Sequence, residues 1–359
     1  MPMYVSLIKP QKLEPIELDQ FLEKGWFRLG NNLFTTSFLA FQGNLFNALW
    51  LRVNLNSFQL SKTQQSLLRK SSDFKVKIVP FEMTDEKREL FLKYRESLAF
   101  EPARQLDDIL LQNDGGKVFN TYDVCVYDDT KLIACGIFDL GFLSVQGIVS
   151  FFDPDYKKYS LGKVLVLNKL FFSKENGYLW FYPGYVVPGH KRFDYKLEVS
   201  KESTEFYELT LDKWTNVKDL DLTIQPLNRM IQALQYLEDI LHNFGFEEFK
   251  FKKYRFFDIG LDRGYTDYDL LTHPYIIHCF ANSPLEEVVI VFNTFSGKYE
   301  LLICHKMFQI NMAYEPEYFS EYLIKPTKIV FSEENPLNFA FGLQSILKRN
   351  VKADVKQNN

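Results

Sequence analysis

Cysteine is scarce in this chain. Its 359 residues include four, Cys125, Cys135, Cys279 and Cys304, and none sits at C-x-x-C spacing, so no thiolate cluster or disulfide framework is written into the sequence. Long apolar runs are also missing: nowhere do about 18 apolar residues follow one another, and the opening MPMYVSLIKPQKLEP has no apolar core of a secretory signal. These absences lead to the expectation of a soluble, cytoplasmic protein with reduced thiols and no membrane partner. Positive charge is not in excess either. A net charge of -4 excludes the global basic signature of tight, non-specific nucleic-acid binding. No Ser-His-Asp or Cys-His motif is recognisable, so no covalent intermediate is expected. His273 and His278 flank Pro274 without a third ligand at metal spacing, and no metal or other cofactor is expected.

What is present is an ordinary globular composition, 46% apolar and 25% charged, with an aromatic share of 16%. The length suits two compact domains. Cationic residues gather locally. Residues 62–77 (KTQQSLLRKSSDFKVK) carry five cations against Asp73, and Lys157, Lys158 and Lys163 flank one glycine-containing loop. Each group alone reads as a solvated face; their grouping around one loop raises the alternative of a polyanion site.

The order of elements is legible from residue 75 onwards. Alternation gives a strand at 75–80, helical spacing runs over 84–98, and a second short helix covers 106–111. Strands follow at 122–127, 131–140 and 144–152, joined by the turns Asp128-Asp129-Thr130 and Gly141-Phe142. Cys125 and Cys135 then face each other across the first of these turns. From Leu161 a helix presents Val164, Leu167 and Phe171 on one stripe with Leu170 beside it, while Lys163, Lys169 and Lys174 point elsewhere. Gly177 stops this helix. An aromatic strand at 178–182 is expected to end at Pro183-Gly184.

The loop before that helix is the most informative feature. Ser160 and Gly162 open directly into the helix, leaving unpaired N–H groups at a positive dipole end where a phosphate or an oxyanion can sit. Beyond residue 210 the pattern changes to an amphipathic helix at 227–244 and mixed strands, with no chemical signature. The expected organisation is an irregular N-terminal region (1–72), an acyltransferase core (73–210) and an additional C-terminal α+β section (211–359). The fold class is α/β (α+β). Strand, two helices, three antiparallel strands, long helix, strand resembles the GCN5-related N-acetyltransferase fold, a mixed sheet flanked by helices.

Three blocks carry a closer resemblance. They are GWFRLGNN, LWLRVNLNSF and LSKTQQSLLRK within 25–70; LIACGIFDL, VSFFDPD and YSLGK within 131–162; and YPGYVVPG with Tyr195-Lys196 within 181–196. Over residues 20–200 the chain resembles the arginyl-tRNA-protein transferases and their leucyl-transferring bacterial relatives. The resemblance implies an enzyme that moves arginine or leucine from aminoacyl-tRNA onto the free N-terminus of an acceptor protein, marking it for degradation. Members of that family usually carry a cysteine cluster where this chain has LFTTSFLAFQGNLFNALW at 33–50. Without thiolates no cluster is expected, and packing by Phe38, Phe41, Leu45 and Phe46 is expected in its place.

The implied chemistry is direct aminolysis of an aminoacyl ester, dominated by positioning and oxyanion stabilisation. The tRNA end is assigned to Tyr159, Ser160, Leu161 and Gly162 through backbone N–H groups, with Lys158 and Lys163 facing phosphates; Gly162 is otherwise a packing glycine. Tyr182 and Tyr185 are read as stacking on the terminal adenine or framing the acyl pocket, or else as core aromatics. Asp153 and Lys196 are expected to form a charged pair that shapes the site, unless Asp153 is a turn residue before Pro154. His190, in a Pro-Gly-His loop, is the candidate proton acceptor or an exposed loop histidine. Arg28 and Arg52 face either the acidic terminus of an acceptor or the RNA. Two other classes stay open: an acyltransferase using acyl-coenzyme A, and a diverged binding protein that kept the fold and lost catalysis.

Overall fold

The computed structural model describes residues 4–41, 43–98, 105–110, 117–190, 194–197, 199–262 and 264–357. Alternating, β-branched runs become the strands Thr121–Asp128, Lys131–Leu140 and Ser144–Phe152. Asp129 occupies the left-handed region at φ 52 in the first turn, a conformation that Asp tolerates better than most residues. Cys125 and Cys135 are register partners across that hairpin, with their sulfurs 3.8 Å apart as free, buried thiols.

The chain divides into two compact units that interleave in sequence. One comprises Ile8–Thr35 and Ala48–Leu220; the other comprises Met1–Leu7, Thr36–Asn47 and Asp221–Asn359. Residues 1–72 therefore contribute to both. In the first unit an eight-stranded sheet runs in the order Lys213–Asn216, Thr204–Glu208, Leu49–Asn54, Trp180–Val186, Ser144–Phe152, Lys131–Leu140, Thr121–Asp128, Lys75–Pro80. Every neighbouring pair is antiparallel except Ser144–Phe152 with Trp180–Val186. With helices at Asp85–Glu96, Leu106–Leu110 and Leu161–Glu175, the element order is the one anticipated, and the fold is a mixed α+β sheet of the GCN5-related N-acetyltransferase type.

Each face of that sheet has its own apolar layer. The Leu161–Glu175 helix sets Leu161, Leu165 and Leu170 against Val124, Ile133 and Phe138. On the opposite face Leu90, Phe91, Leu106 and Leu110 cover Cys125, Cys135, Ile137 and Phe151. At about 25 cal/mol per Å2 of apolar area removed from water, such layers are the principal stabilising contribution.

One boundary differs from the sequence reading. The strand expected to end at Tyr182 runs Trp180–Val186, through Pro183 and Gly184. Its register against Leu49–Asn54 shifts between Phe181 and Gly184. Proline lacks the N–H a regular ladder needs and is tolerated at a bulge. Gly184 adopts φ 91 there, where a side chain would be strained.

The second unit is built on a six-stranded sheet in the order Tyr318–Phe319, Lys250–Tyr254, Tyr275–Ser283, Glu286–Asn293, Lys298–Gln309, Tyr322–Glu333. The amphipathic helix Pro226–Asn243 packs on it through Leu227, Met230, Leu234, Leu237 and Leu241. The segment expected to carry apolar packing and no cysteine cluster is a hairpin, Phe38–Phe41 with Asn44–Asn47, and it belongs to this unit. Phe38 is buried against Tyr4 and Phe257, while Phe41, Leu45 and Phe46 are half-buried. His273 is buried edge-on to Tyr4 at 5.0 Å, and burial lowers its pKa to about 3. His278 instead bonds Glu287 at 2.9 Å.

Candidate active site

The parallel ladder in the first unit is short. Ser144, Val145 and Gln146 pair with Trp180, Phe181 and Tyr182, and then the two strands part. A bulge between Gly147 and Val149 bends one strand, and the Pro183 bulge bends the other. The parting opens a cavity of about 250 Å3. Phe91 and Tyr94 line it from one face of the sheet, Val166 and Lys169 from the other, with Ile148 and Phe181 between. That volume lies below the ~300–1,000 Å3 of drug-sized sites, and suits an amino-acid side chain. Among the described residues its lining includes Arg95, Lys169 and Lys196 and no carboxylate. Arg95 has no ion pair among the described residues, and its Nε is buried without a hydrogen-bond partner.

Lys169 corrects the sequence reading, which placed it away from the packed stripe. It is 2% exposed. Its Nζ donates to the Ile137 carbonyl at 3.0 Å and the Val149 carbonyl at 3.2 Å, and lies 3.2 Å from Ser150 Oγ. The bulge releases carbonyls from the ladder, and a long side chain with a polar tip can reach them. Gly136 makes the passage possible, because a Cβ at that position would stand 2.7 Å from Lys169 Cε.

A second depression adjoins the first. Val166 and Val199 line both, and the outer one adds Ser61, Gln64, Leu67 and Lys163. Lys163 lies in the first turn of the Leu161–Glu175 helix. At that helix start Ser160 takes φ 51, and the N–H groups of Leu161 and Gly162 have no partner among the described residues. Lys158, Ser160 and Lys163 are exposed, and Tyr159 is half-buried against Phe74 at 4.9 Å. Leu161 itself is fully buried, so it offers only backbone. A Cβ on Gly162 would meet Phe152 at 3.4 Å, an ordinary contact, so packing alone does not require glycine there. Lys70 Nζ reaches the Lys158 carbonyl at 3.4 Å, which joins the basic helix Lys62–Lys70 to the loop.

The expected Asp153–Lys196 pair is not formed. Asp153 is 1% exposed and bonds Lys131 at 2.7 Å and Lys93 at 2.6 Å, and it caps the following turn through Asp155 N–H at 3.0 Å. Burial alone would raise its pKa; the two lysines and the backbone bond win, and hold it at about 2. A depressed carboxylate stabilises the fold above its unfolded pKa, near 4, and that stability is lost as pH falls towards 2. With both lysines half-exposed the contribution is on the order of 1 kcal/mol. Asp153→Asn is therefore expected to lose about that much at pH 7 and little at pH 2, as read from urea unfolding at the two pH values.

Lys196 instead sits at the cavity wall, where its Nζ donates to the Tyr185 carbonyl at 2.8 Å. Gly184 leaves it room, since a Cβ there would be 3.2 Å from that Nζ. Tyr185 is half-buried with its ring edge-on to Trp50 at 5.2 Å. Tyr182 is 1% exposed, packed edge-on against Phe27 and Trp214. Strand alternation turns Tyr182 away from the cavity and Phe181 and Pro183 towards it, and Tyr182 packs among core aromatics on the other side. His190 follows in the turn closed by its N–H to the Val187 carbonyl at 3.1 Å, and does not line the cavity.

The two arginines are structural as well. Arg28 is 5% exposed and its Nη1 lies 2.8 Å from Asp139. Arg52 bonds Glu205 at 2.6 Å and Glu23 at 2.7 Å, with its guanidinium between Trp180 and Trp214. Neither lines the cavity. Asp123, Cys125 and Cys135 bring their ligating atoms within 4.8 Å of one another, but the Lys87 ammonium already bonds Asp123.

The site is thus a sheet split between two parallel strands, with a helix start at the opening. Residues 82–204 match the family model described as Arginine-tRNA-protein transferase, C terminus. The chain is 31% identical over 192 residues to the aspartate/glutamate leucyltransferase of Leptospira interrogans, covering 52% of this chain and 73% of that protein. It is 25% identical over 209 residues to the enzyme of the same name from Helicobacter hepaticus, covering 55% and 85%. Among solved structures, it is similar to the ribosomal-protein-S18-alanine N-acetyltransferase of Escherichia coli, with a TM-score of 0.22 and 18% identity over 29% of this chain and 62% of that one. The chain belongs to the aminoacyl-tRNA-protein transferase family. No helix among the described residues is long and apolar enough to cross a membrane.

Proposed function

We propose that the protein moves leucine from charged tRNA to the N-terminal amine of an acceptor beginning with Asp or Glu, by direct aminolysis, within the 73–210 core. The observation that carries the choice of leucine is the cavity lining. Its walls carry Phe91, Ile148, Val166 and Phe181, and among the described residues its polar groups include Arg95, Lys196 and the Lys169 amine and no carboxylate. An arginyl side chain bound there would be a buried charge among like charges, which costs several kcal/mol without a paired anion. A leucyl side chain meets Phe91, Ile148 and Phe181 instead. Arg95 and Lys196 at the same cavity complement the acidic first residue of the acceptor.

The terminal nucleotides of the tRNA take the outer depression along Lys163. Their phosphates lie on the unpaired N–H groups of Leu161 and Gly162, with Lys158 and Lys70 adding charge. The two relatives described above are named for leucine transfer to aspartate and glutamate, which agrees with this reading. The α-amine has a solution pKa of about 8, so a minority is neutral at pH 7 and holding it against the ester supplies much of the rate.

The test is transfer of labelled leucine or arginine from charged tRNA to peptides beginning Asp, Glu or Ala. Leucine is expected to enter the acidic peptides at least about tenfold faster than the neutral one, and arginine to enter none. Arginine transfer equal to leucine transfer would reject the donor assignment, and binding without any turnover would identify a diverged binding protein.

A further inference from the structure

The bulge of strand Ser144–Phe152 carries a polar pair whose geometry asks for more than packing. Lys169 Nζ has three neighbours at hydrogen-bond distance: the carbonyls of Ile137 and Val149, at 3.0 and 3.2 Å, and Ser150 Oγ, at 3.2 Å. A carbonyl only accepts, whereas a hydroxyl does either. An ammonium has three N–H bonds for these three acceptors, and a neutral amine has two and keeps a lone pair for the hydroxyl proton, so the shell accommodates both states. Ser150 is half-buried, lines the cavity, and makes no other side-chain hydrogen bond among the described residues. At 3.2 Å its oxygen accepts from the protonated amine, and its O–H can donate to the neutral one, so a proton can pass between the two.

We propose that Ser150 and Lys169 form the proton acceptor of the transfer, with Ser150 touching the attacking amine and Lys169 acting through it. This rests on the leucyl-transfer reading. The amine nitrogen bonds to the ester carbon. Its surplus proton passes to Ser150 Oγ as the hydroxyl proton moves to Lys169 Nζ. When the tetrahedral intermediate collapses the C–O bond breaks, and the departing ribose oxygen takes a proton back along the same path. The pair returns to its starting state and the products are an amide and a free ribose hydroxyl.

The surroundings keep the amine near the balance point that such a step needs. Burial lowers the Lys169 pKa to about 7, opposed by Cys135 and Asp139. Both lie on strand Lys131–Leu140; Cys125 faces Cys135 from the next strand, and Arg28 neutralises Asp139. Among the described residues, Arg95 from the Asp85–Glu96 helix and Lys196 are the other charged groups that line the cavity. Both cations disfavour a third charge.

The experiment is single-turnover leucyl transfer against pH for the wild type, Ser150→Ala and Lys169→Met, with charged tRNA saturating. An Asp-initiated peptide and methoxyamine serve as acceptors, the latter so weakly basic that its own titration falls well below neutrality, and the enzyme-free rate is subtracted. The wild-type rate is expected to rise through an apparent pKa near 7 with both acceptors. Ser150→Ala is expected to lose about 100-fold in rate and that limb, with KM for the tRNA and the thermal midpoint unchanged. Lys169→Met loses the limb likewise, and tRNA binding reports on its fold. An active wild type whose rate and pH profile survive Ser150→Ala overturns the relay alone. A wild type inactive with every donor overturns the transfer reading and the relay with it.

Discussion

Replacing Arg28 by methionine is expected to lower the stability of the transferase unit by about 3–5 kcal/mol, the cost of leaving a buried partner charge uncompensated. Asp139 is fully buried, and among the described residues Arg28 is its one counter-charge at bonding distance, 2.8 Å away. The same guanidinium bonds the Gly30 carbonyl at 2.6 Å, the Leu110 carbonyl at 2.7 Å and Thr121 Oγ1 at 2.9 Å, and lies over the Phe119 ring at 4.4 Å. Methionine keeps the stem and removes all four partners. Burial already pushes the Asp139 carboxyl upward, with Arg28 opposing, so the variant should take up a proton on folding at neutral pH. Arg28→Met with Asp139→Leu should recover most of the loss, since an apolar pair of similar volume replaces a buried ion pair at little cost. Urea unfolding of the four proteins in the cycle measures this. A single variant within about 1 kcal/mol of wild type would show that the pair is not what holds this corner of the sheet.

The second large effect is on activity. Val166 lines both the inner cavity and the outer depression and is half-buried at the edge of the layer that holds Leu165 and Leu170. A tryptophan there fills the junction through which an aminoacyl group must pass from tRNA to cavity, while Leu165 and Leu170 keep the helix on the sheet. Val166→Trp is expected to reduce transfer at least about 100-fold, as misplacement of the reacting groups does, while the thermal midpoint stays within a few degrees. A variant that unfolds like wild type and still transfers leucine normally would place the donor path elsewhere.

Much of the first unit was legible because its signals are local. Alternation over 121–152 and the turns at Asp128–Thr130 and Gly141-Phe142 specify three neighbouring strands, and Ser160 to Gly162 mark a helix start without reference to anything distant. What failed depended on partners far along the chain. Arg28 meets Asp139 across 111 positions, and Arg52 meets Glu205 across 153; no spacing rule announces such pairs, so both arginines looked available. Lys169 breaks the pattern for a different reason. A lysine on a helix reads as solvated, and only the bulge, with its released carbonyls and the bare Gly136 beneath, makes its burial favourable. Pro183-Gly184 carried an ambiguous message, because the residues that terminate a strand are also those that bulge one. Tyr182 could have been placed by alternation once Phe181 was set facing the cavity. The hairpin at 38–47 has a clear strand pattern, yet nothing in it says which sheet it joins.

The account turns on where the charged end of the donor sits. A crystal structure of the protein with a non-hydrolysable leucyl-adenosine amide tests this most directly. The leucyl side chain is expected among Phe91, Ile148 and Phe181, with the carbonyl beside Ser150 and the nucleoside running out past Val166 towards Lys163. Density for the leucyl group outside the parting of strands Ser144–Phe152 and Trp180–Val186, with that cavity left unfilled, would contradict it.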